Sequence, residues 1–118
     1  MLDRDFAETF ARKWVQAWND RDIDAVLADY AESVVLHSPR GRSEAGESIP
    51  RVEGMQALRA YWEQALEAAP NLFFEVDELF VSSDALTLIY LNHRSQRVAE
   101  TFVFNADGKV IKTIAAYN

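Results

Sequence analysis

The chain has 118 residues, which is the length of one domain, and 49% of them are hydrophobic, which excludes a disordered or fibrous protein. The formal net charge of −7 argues against nucleic acid or an anionic membrane as a partner, because both reward a basic face. The chain has no Cys, which excludes disulfides and thiolate catalysis, so we expect a single cytoplasmic domain over residues 1–118.

The first half of the chain is predicted to be helical. Apolar residues recur at spacings of three and four over residues 4–19 and indicate one amphipathic helix. Its apolar stripe is unusually aromatic and consists of Phe6, Phe10, Trp14, Ala17 and Trp18. A second, short helix follows Asp22, a typical N-cap residue. The apolar residues that share its face are Ile23, Val26, Leu27 and Tyr30.

Two short strands and a loop separate this helical hairpin from a third helix. The segment "SVVLHSP" has the β-branched content of a strand, and Pro39 closes it. The polar segment "RGRSEAGES" is predicted to be a loop, and "IPRVEG" a short edge strand. The third helix begins near Gly54 and ends before Pro70, because apolar residues between them keep helical spacing.

From residue 71 the apolar period changes to two, which predicts four β-strands. They are "NLFFEVDELFVSS", "ALTLIYLNHRS", "QRVAETFVFN" and "KVIKTIAAYN". Their short connections favour antiparallel neighbours, and "NADG" is a hairpin loop in which Gly108 suits a left-handed backbone position. The sequence therefore predicts an α+β domain, with three N-terminal helices packed on one face of a strongly curved antiparallel sheet.

One carboxyl group, that of Glu100, interrupts the apolar face of the third of these strands. Its neighbours on that face are Val98, Phe102 and Phe104. Glu100 is predicted to lie at the sheet edge, in an ion pair, or in a pocket. In a pocket, desolvation would raise its pKa and make it a candidate for general acid–base catalysis. The candidate partners for an ion pair are Arg94, Arg97 and Lys112.

The sequence contains no motif for a metal, a nucleotide or a nucleophilic serine, so we expect no metal and no cofactor. His37 and His93 lack a third ligand at a diagnostic spacing. Glu75 and Asp77 share a strand face and form either a second carboxylate pair or, as we expect, a solvated rim. No run of about eighteen apolar residues is present to cross a membrane.

The order of these elements, together with "WVQAWNDRDIDAVLADYAESVVLHSP" and "FVFNADGKVI", resembles the NTF2-like superfamily, and within it the SnoaL-like and ketosteroid-isomerase-like proteins. The resemblance covers essentially the whole chain. It implies a cone, in which a bent sheet wraps around the helices and encloses a deep apolar pocket, and a homodimer formed through the outer face of the sheet. It implies no single activity, because the superfamily includes isomerases, cyclases, dehydratases and non-catalytic modules.

In the steroid isomerases an Asp base moves the proton, while a Tyr and a protonated Asp donate hydrogen bonds to the developing oxyanion. The resemblance places Ser38 at the base, Trp14 at the tyrosine and Glu100 at the protonated aspartate. Trp62 falls at a second pocket tyrosine. Because a serine without an activating partner cannot act as a base near neutral pH, we do not expect steroid isomerisation by that mechanism.

The predicted site is therefore an aromatic pocket with one retained acid. Glu100 and Ser38 are its catalytic candidates. The candidate ligand-binding residues are Trp14, Trp18, Tyr30, Tyr61, Trp62, Tyr90, Phe102 and Tyr117. Against the steroid isomerases, the loop of residues 40–48 is longer and is expected to act as a lid.

Two functions fit this site. The first is a cofactor-free enzyme that acts by proton transfer on a small, largely apolar cyclic or aromatic molecule, in an isomerisation, cyclisation or dehydration. The second is a non-catalytic domain that binds an apolar ligand or works through its dimer surface. The departures from the steroid isomerase pattern at Ser38 and Trp14 favour the second function, whereas the retained carboxyl group of Glu100 favours the first.

Overall fold

A computed structural model describes residues 2–118 and confirms the α+β arrangement. Its helices are α1 (Arg4–Asn19), α2 (Ile23–Leu27) and α3 (Met55–Ala68). Its strands are β1 (Tyr30–His37), β2 (Arg51–Glu53), β3 (Glu75–Val81), β4 (Ala85–Leu91), β5 (Arg97–Phe104) and β6 (Val110–Tyr117). None of the helices in these residues is long and apolar enough to cross a membrane.

The helix starts follow the capping residues that the sequence supplies. Asp3 accepts a hydrogen bond from the backbone N–H of Asp5 at 2.9 Å and caps α1. Asp22 accepts one from the backbone N–H of Ala25 at 3.1 Å and caps α2, as predicted. Four of the five predicted stripe residues of α1 are buried, but Phe6 is 39% exposed, so its place in the buried stripe is wrong. The buried residues of the helix are Ala7, Phe10, Ala11, Trp14, Val15, Ala17 and Trp18.

The prediction that Tyr30 continues the apolar face of α2 is wrong. The helix ends at Leu27, and Tyr30 is the first residue of β1, where it pairs with Val110 of β6. The backbone N–H of Val110 donates to the carbonyl of Asp29 at 2.8 Å, so strand pairing begins just beyond the helix. Sheet formation here overrides the helical spacing that places Tyr30 on the same face as Val26.

The six strands form one sheet in the order β2-β1-β6-β5-β4-β3. The four C-terminal strands are antiparallel neighbours, as their short connections predicted. The sheet is nevertheless mixed, not purely antiparallel, because β1 and β6 run parallel. The connection between these two strands passes through α3 and four other strands, and a connection of that length permits a parallel pair.

Register shifts bend this sheet. They occur within the β1–β6, β3–β4 and β5–β6 pairs, and an irregularity of this kind bends a strand and increases its twist. The sheet thus curves around the helices, and the core lies between them. At its centre Phe102 is fully buried, with its ring centroid 5.0 Å from that of Phe10 and 5.1 Å from that of Trp14.

Candidate functional site

A cavity of about 480 Å³ lies between the helices and the inner face of the sheet, a volume suited to a small organic ligand. Its aromatic residues are Trp14, Trp18, Tyr61, Trp62, Phe74, Tyr90 and Tyr117. Its charged residues are Arg40, Arg42, Arg94 and Glu100. All three tryptophans of the chain therefore line one cavity.

The register of the sheet places Glu100 at this cavity. Glu100 pairs with Leu88 of β4 and with Ala115 of β6. Directly paired residues of antiparallel strands point to the same face, and both of these partners are buried. Glu100 itself is 5% exposed, so the expectation that it lies at the sheet edge is wrong.

The ion-pair interpretation of Glu100 is also wrong. Arg97, one candidate partner, contacts Asp77 at 3.1 Å and Glu78 at 3.2 Å instead. The other two candidate cations form no salt bridge with Glu100 in the part of the chain that the structure describes. The carboxyl group is therefore buried without a cation beside it.

Tyr90 is the hydrogen-bond partner of Glu100. Its Oη donates to Glu100 Oε1 at 3.0 Å. The contact follows from register, because Tyr90 pairs with Val98, two residues before Glu100 on the same face. Oε2 of Glu100 forms no hydrogen bond within residues 2–118 and is not enclosed by protein atoms, so it faces the cavity. One carboxyl oxygen is thus fixed and the other is open to a ligand.

Burial controls the protonation of this group. It raises the pKa of Glu100 from 4.5 to about 7, and the hydrogen bond from Tyr90 opposes the rise. Burial, followed by the charge of Glu100, also raises the pKa of Tyr90, so that Tyr90 stays a donor. Near neutral pH Glu100 therefore populates both its acid and its base form, which general acid–base catalysis requires.

The N–H of Trp14, the residue that the resemblance places at the steroid isomerase tyrosine, is used in a hydrogen bond within the protein. Trp14 Nε1 donates to Tyr30 Oη at 3.0 Å. Tyr30 and Phe102, two predicted ligand-binding residues, do not line the cavity. They are buried behind its wall, with the Tyr30 ring 5.5 Å from that of Trp62. These two residues support the wall, whereas the other six predicted ligand-binding residues form part of it.

Ser38 also lines the cavity, just after the end of β1. Its Oγ accepts a hydrogen bond from the backbone N–H of Arg40 at 3.1 Å. Burial raises the pKa of Tyr61 to about 12 and also raises that of Tyr117, and the nearby Ser38 hydroxyl opposes both rises. No carboxylate or imidazole bonds to Ser38 in the described chain, so nothing there makes it a base.

The sequence singled out Arg94 only as a candidate ion-pair partner of Glu100, and it did not point to Arg40 or Arg42 as residues of the cavity. Arg40 and Arg42 belong to the loop of residues 40–48 and Arg94 to the connection between β4 and β5, and the three meet only in the folded chain. No spacing in the sequence signals this meeting. The loop is tied to α3 by a hydrogen bond from Gln64 to the Ser43 carbonyl at 2.9 Å, and its role as a lid stays a prediction.

Phe74 also lines the cavity, and the sequence pattern did not single it out. It precedes β3, and Asn19 of α1 fixes its backbone, accepting from the Phe74 N–H at 2.7 Å and donating to its carbonyl at 2.9 Å. Its ring centroid lies 4.5 Å from that of Tyr90. The alternating pattern favours Phe73 equally, yet Phe73 is 55% exposed.

The remaining polar candidates divide between the cavity and the surface. His93 lines the cavity, whereas His37 does not. Glu75 and Asp77 are exposed on β3, in agreement with the solvated position expected for them. Within residues 2–118 no group of three or more His, Cys, Asp or Glu side chains could hold a metal ion.

The comparisons with known proteins agree with this fold. The model of the SnoaL-like domain family matches residues 11–113. A SnoaL-like protein of unknown function from Burkholderia thailandensis is 34% identical, with a TM-score of 0.91 over 100% of this chain and 99% of that one. A search of the curated proteins finds no match.

Two more distant structures share the fold. A Mycobacterium tuberculosis protein solved in complex with estradiol-17beta-hemisuccinate is 21% identical, with a TM-score of 0.75 over 96% of this chain and 94% of that one. An NTF2-like protein of unknown function from Cytophaga hutchinsonii is 13% identical, with a TM-score of 0.70 over 95% and 89%.

Proposed function

Since the chain belongs to the SnoaL-like domain family, we propose that it is an acid–base enzyme that moves a proton on a small, largely apolar cyclic molecule. One observation carries the proposal: Glu100 is buried beside the cavity, Tyr90 holds its Oε1, and its Oε2 is open to a ligand. The neighbour that binds estradiol-17beta-hemisuccinate supports a cyclic ligand, because it has the same fold.

In the proposed reaction the carboxylate of Glu100 breaks a C–H bond of the ring system and forms an O–H bond. The electron pair of that C–H bond moves into the substrate. Glu100 then returns the proton to another atom, so an isomerisation is balanced without a further reactant. In a cyclisation the electron pair instead forms a C–C bond to a carbonyl carbon of the same molecule, and Glu100 gives the proton to the resulting alkoxide. In a dehydration Glu100 gives the proton to a hydroxyl oxygen that leaves as water while the electron pair forms a double bond.

Ligand binding without turnover is the second candidate, and Ser38 favours it. The resemblance places the base of the steroid isomerases at Ser38, and here the hydroxyl is held by the backbone of Arg40 with no activating partner in the described residues. The two functions differ in what Glu100 does. In the enzyme it exchanges protons with the ligand, and in the binding protein it only orients the ligand.

A ¹³C NMR titration of the glutamate carboxyl carbons tests the premise. We expect one carboxyl group to titrate near pH 7, in line with the pKa of Glu100, and that signal to vanish in Glu100→Gln. Asp77→Asn is the matched control, because it removes an exposed carboxylate that does not line the cavity. A Glu100 signal that titrates like an ordinary glutamate overturns the proposal.

Hydrogen–deuterium exchange separates the two functions. 1-Adamantyl methyl ketone carries a rigid apolar cage and exchangeable protons beside its carbonyl. We expect wild type and Asp77→Asn to accelerate the exchange in D₂O, and Glu100→Gln to abolish the acceleration. The rate should rise as pH increases through about 7, because the base form of Glu100 accumulates there. Equal exchange in wild type and Glu100→Gln favours ligand binding without turnover.

We also propose that the chain forms a homodimer through the outer face of the sheet. Pairing places Phe80, Thr87, Thr101 and Ile114 in one row on that face. Phe80 is 56% exposed and Ile114 is 39% exposed, so the row carries apolar surface that a second copy would cover. Analytical ultracentrifugation should give a dimer for wild type and a shift towards monomer for Ile114→Lys. A monomeric wild type contradicts this assembly.

A further inference from the structure

The mouth of the cavity has a charge opposite to that of the protein. The chain has a net charge of −7, yet three of the four charged residues that line the cavity are arginines. Arg40, Arg42 and Arg94 are all exposed, so they lie at the mouth, while Glu100 is buried at the inner wall. These arginines attract anions to the entrance, whereas the net negative charge of the chain as a whole repels them.

No carboxylate of residues 2–118 forms a salt bridge with these arginines. The salt bridges found among residues 2–118 use the cations Arg4, Arg51, Arg59 and Arg97. Arg42 donates to the carbonyl of Gly41, and Arg94 bonds to no acidic group in the described chain. Their guanidinium groups therefore remain available to an anionic ligand.

Arg40 is already held in position. Its guanidinium carbon lies 3.8 Å from the centroid of the Tyr117 ring, and its Nη2 donates to Gln96 Oε1 at 2.7 Å. Gln96 in turn donates to the carbonyl of Asn118 at 3.3 Å. A guanidinium fixed on an aromatic face loses little freedom when it binds an oxyanion, which favours tight recognition.

We propose that the cavity takes a cyclic molecule with an oxyanion group, such as a carboxylate, and binds that group at Arg40, Arg42 and Arg94 while the apolar ring enters towards the tryptophans. This inference rests on the proposed function, since it names the substrate class of the same site. The arrangement also orients the ligand. Glu100 repels an anion at the inner wall, and the arginines attract it at the mouth, so the ring is the part presented to Glu100.

Three probes with one cage test this assignment. Adamantane-1-carboxylate, adamantane-1-carboxamide and 1-adamantylamine share an apolar body and differ in charge. Isothermal titration calorimetry should give a carboxylate affinity about tenfold above that of the carboxamide, and an amine affinity below both. Raising the salt concentration should remove most of the carboxylate advantage, because these arginines are exposed. All three tryptophans line the cavity, so a change in tryptophan fluorescence on adding each probe would report that the probe binds there.

Substitution of the arginines assigns the effect to the mouth. Arg40→Gln, Arg42→Gln and Arg94→Gln should each weaken carboxylate binding about threefold and leave carboxamide binding unchanged. Arg12→Gln is the matched control, because Arg12 is exposed, lies outside this cavity and forms no salt bridge in the described residues.

The outcomes separate this inference from the proposed function. Equal affinity for carboxylate and carboxamide overturns the anionic substrate and leaves acid–base chemistry at Glu100 intact. An ordinary titration of Glu100 overturns the chemistry and leaves the anion selectivity intact. Loss of carboxamide binding in the arginine variants, or failure of all three probes to bind, also overturns the inference.

Discussion

Two strands of the same sheet, β5 and β3, carry carboxyl groups within an alternating apolar pattern, but the surroundings of these groups are opposite. On β5, a central strand, Glu100 is buried and bonded to Tyr90. On β3, the edge strand, Asp77 and Glu78 are exposed and share Arg97. The same residue type thus has a raised pKa on one strand and a cationic partner in water on the other.

The difference shows that burial by neighbouring strands and helices, not the alternating pattern of the strand, decides whether a carboxyl group stays charged. A central strand has neighbours on both sides and helices over its inner face, so a carboxyl group there loses water. An edge strand has one neighbour and keeps solvent access, so a carboxylate stays charged at little cost. Substitutions on the two strands should therefore differ in size and in pH dependence.

The largest contrast should come from two phenylalanines. Phe102 is fully buried on β5, and Phe80 is 56% exposed on β3. Phe102→Ala should lower the free energy of unfolding by about 3–5 kcal/mol, because it leaves a cavity in the core. Phe80→Ala should cost less than about 1 kcal/mol at concentrations where the chain is monomeric. Urea unfolding measures both, and similar losses would remove the distinction between the strands.

The next contrast concerns pH. In the folded chain Glu100 has a pKa of about 7 against an ordinary value of 4.5, so between these values the folded state holds a proton that the unfolded state has lost. Stability should therefore fall as pH rises through this window, by about 3 kcal/mol in total, and level off above it.

Glu100→Gln should abolish this dependence and be more stable than wild type above pH 7 by up to about 3 kcal/mol. Below the ordinary pKa of glutamate the two proteins should differ little. Asp77→Asn should leave the pH dependence of wild type in place. Thermal unfolding across this pH range measures the stability of wild type and of both variants. A wild-type stability that does not fall as pH rises would contradict the assigned burial of Glu100.

A smaller effect should follow from the hydrogen bond that restrains Glu100. Tyr90→Phe removes the donor to Oε1, and because this bond lowers the pKa of Glu100, its loss should raise that pKa further. The Thr87 and Thr101 hydroxyls bond at 2.8 Å on the outer face of the sheet. Thr87→Val is therefore a control that should not move the Glu100 signal in a ¹³C NMR titration.

The smallest effect should come from the ion pairs of β3. Arg97→Gln breaks two contacts between exposed groups, and we expect it to cost less than about 1 kcal/mol, an amount that salt screens further. Unfolding at low and high ionic strength measures this. A loss as large as that of Phe102→Ala would show that β3 carries a buried network.

Much of the fold was predictable because its signals are local. The bounds of α1, the cap at Asp22 and the hairpin at Gly108, whose φ is +76°, depend on neighbouring residues. The inner position of Glu100 followed from alternation along one strand. Tyr30 was misplaced because its helical spacing competed with a strand pairing to Val110, eighty residues away in sequence.

The sequence by itself determined the α+β class, the aromatic stripe of α1 and the presence of a carboxyl group on the inner face of β5. Only the tertiary structure decided that Tyr90 donates a hydrogen bond to this group, that the N–H of Trp14 donates to Tyr30, and that three arginines line the mouth of the same cavity. Periodicity reports which face of an element is buried. The contacts of a site depend on register, on loop conformation and on burial, which arise only when distant segments pack together.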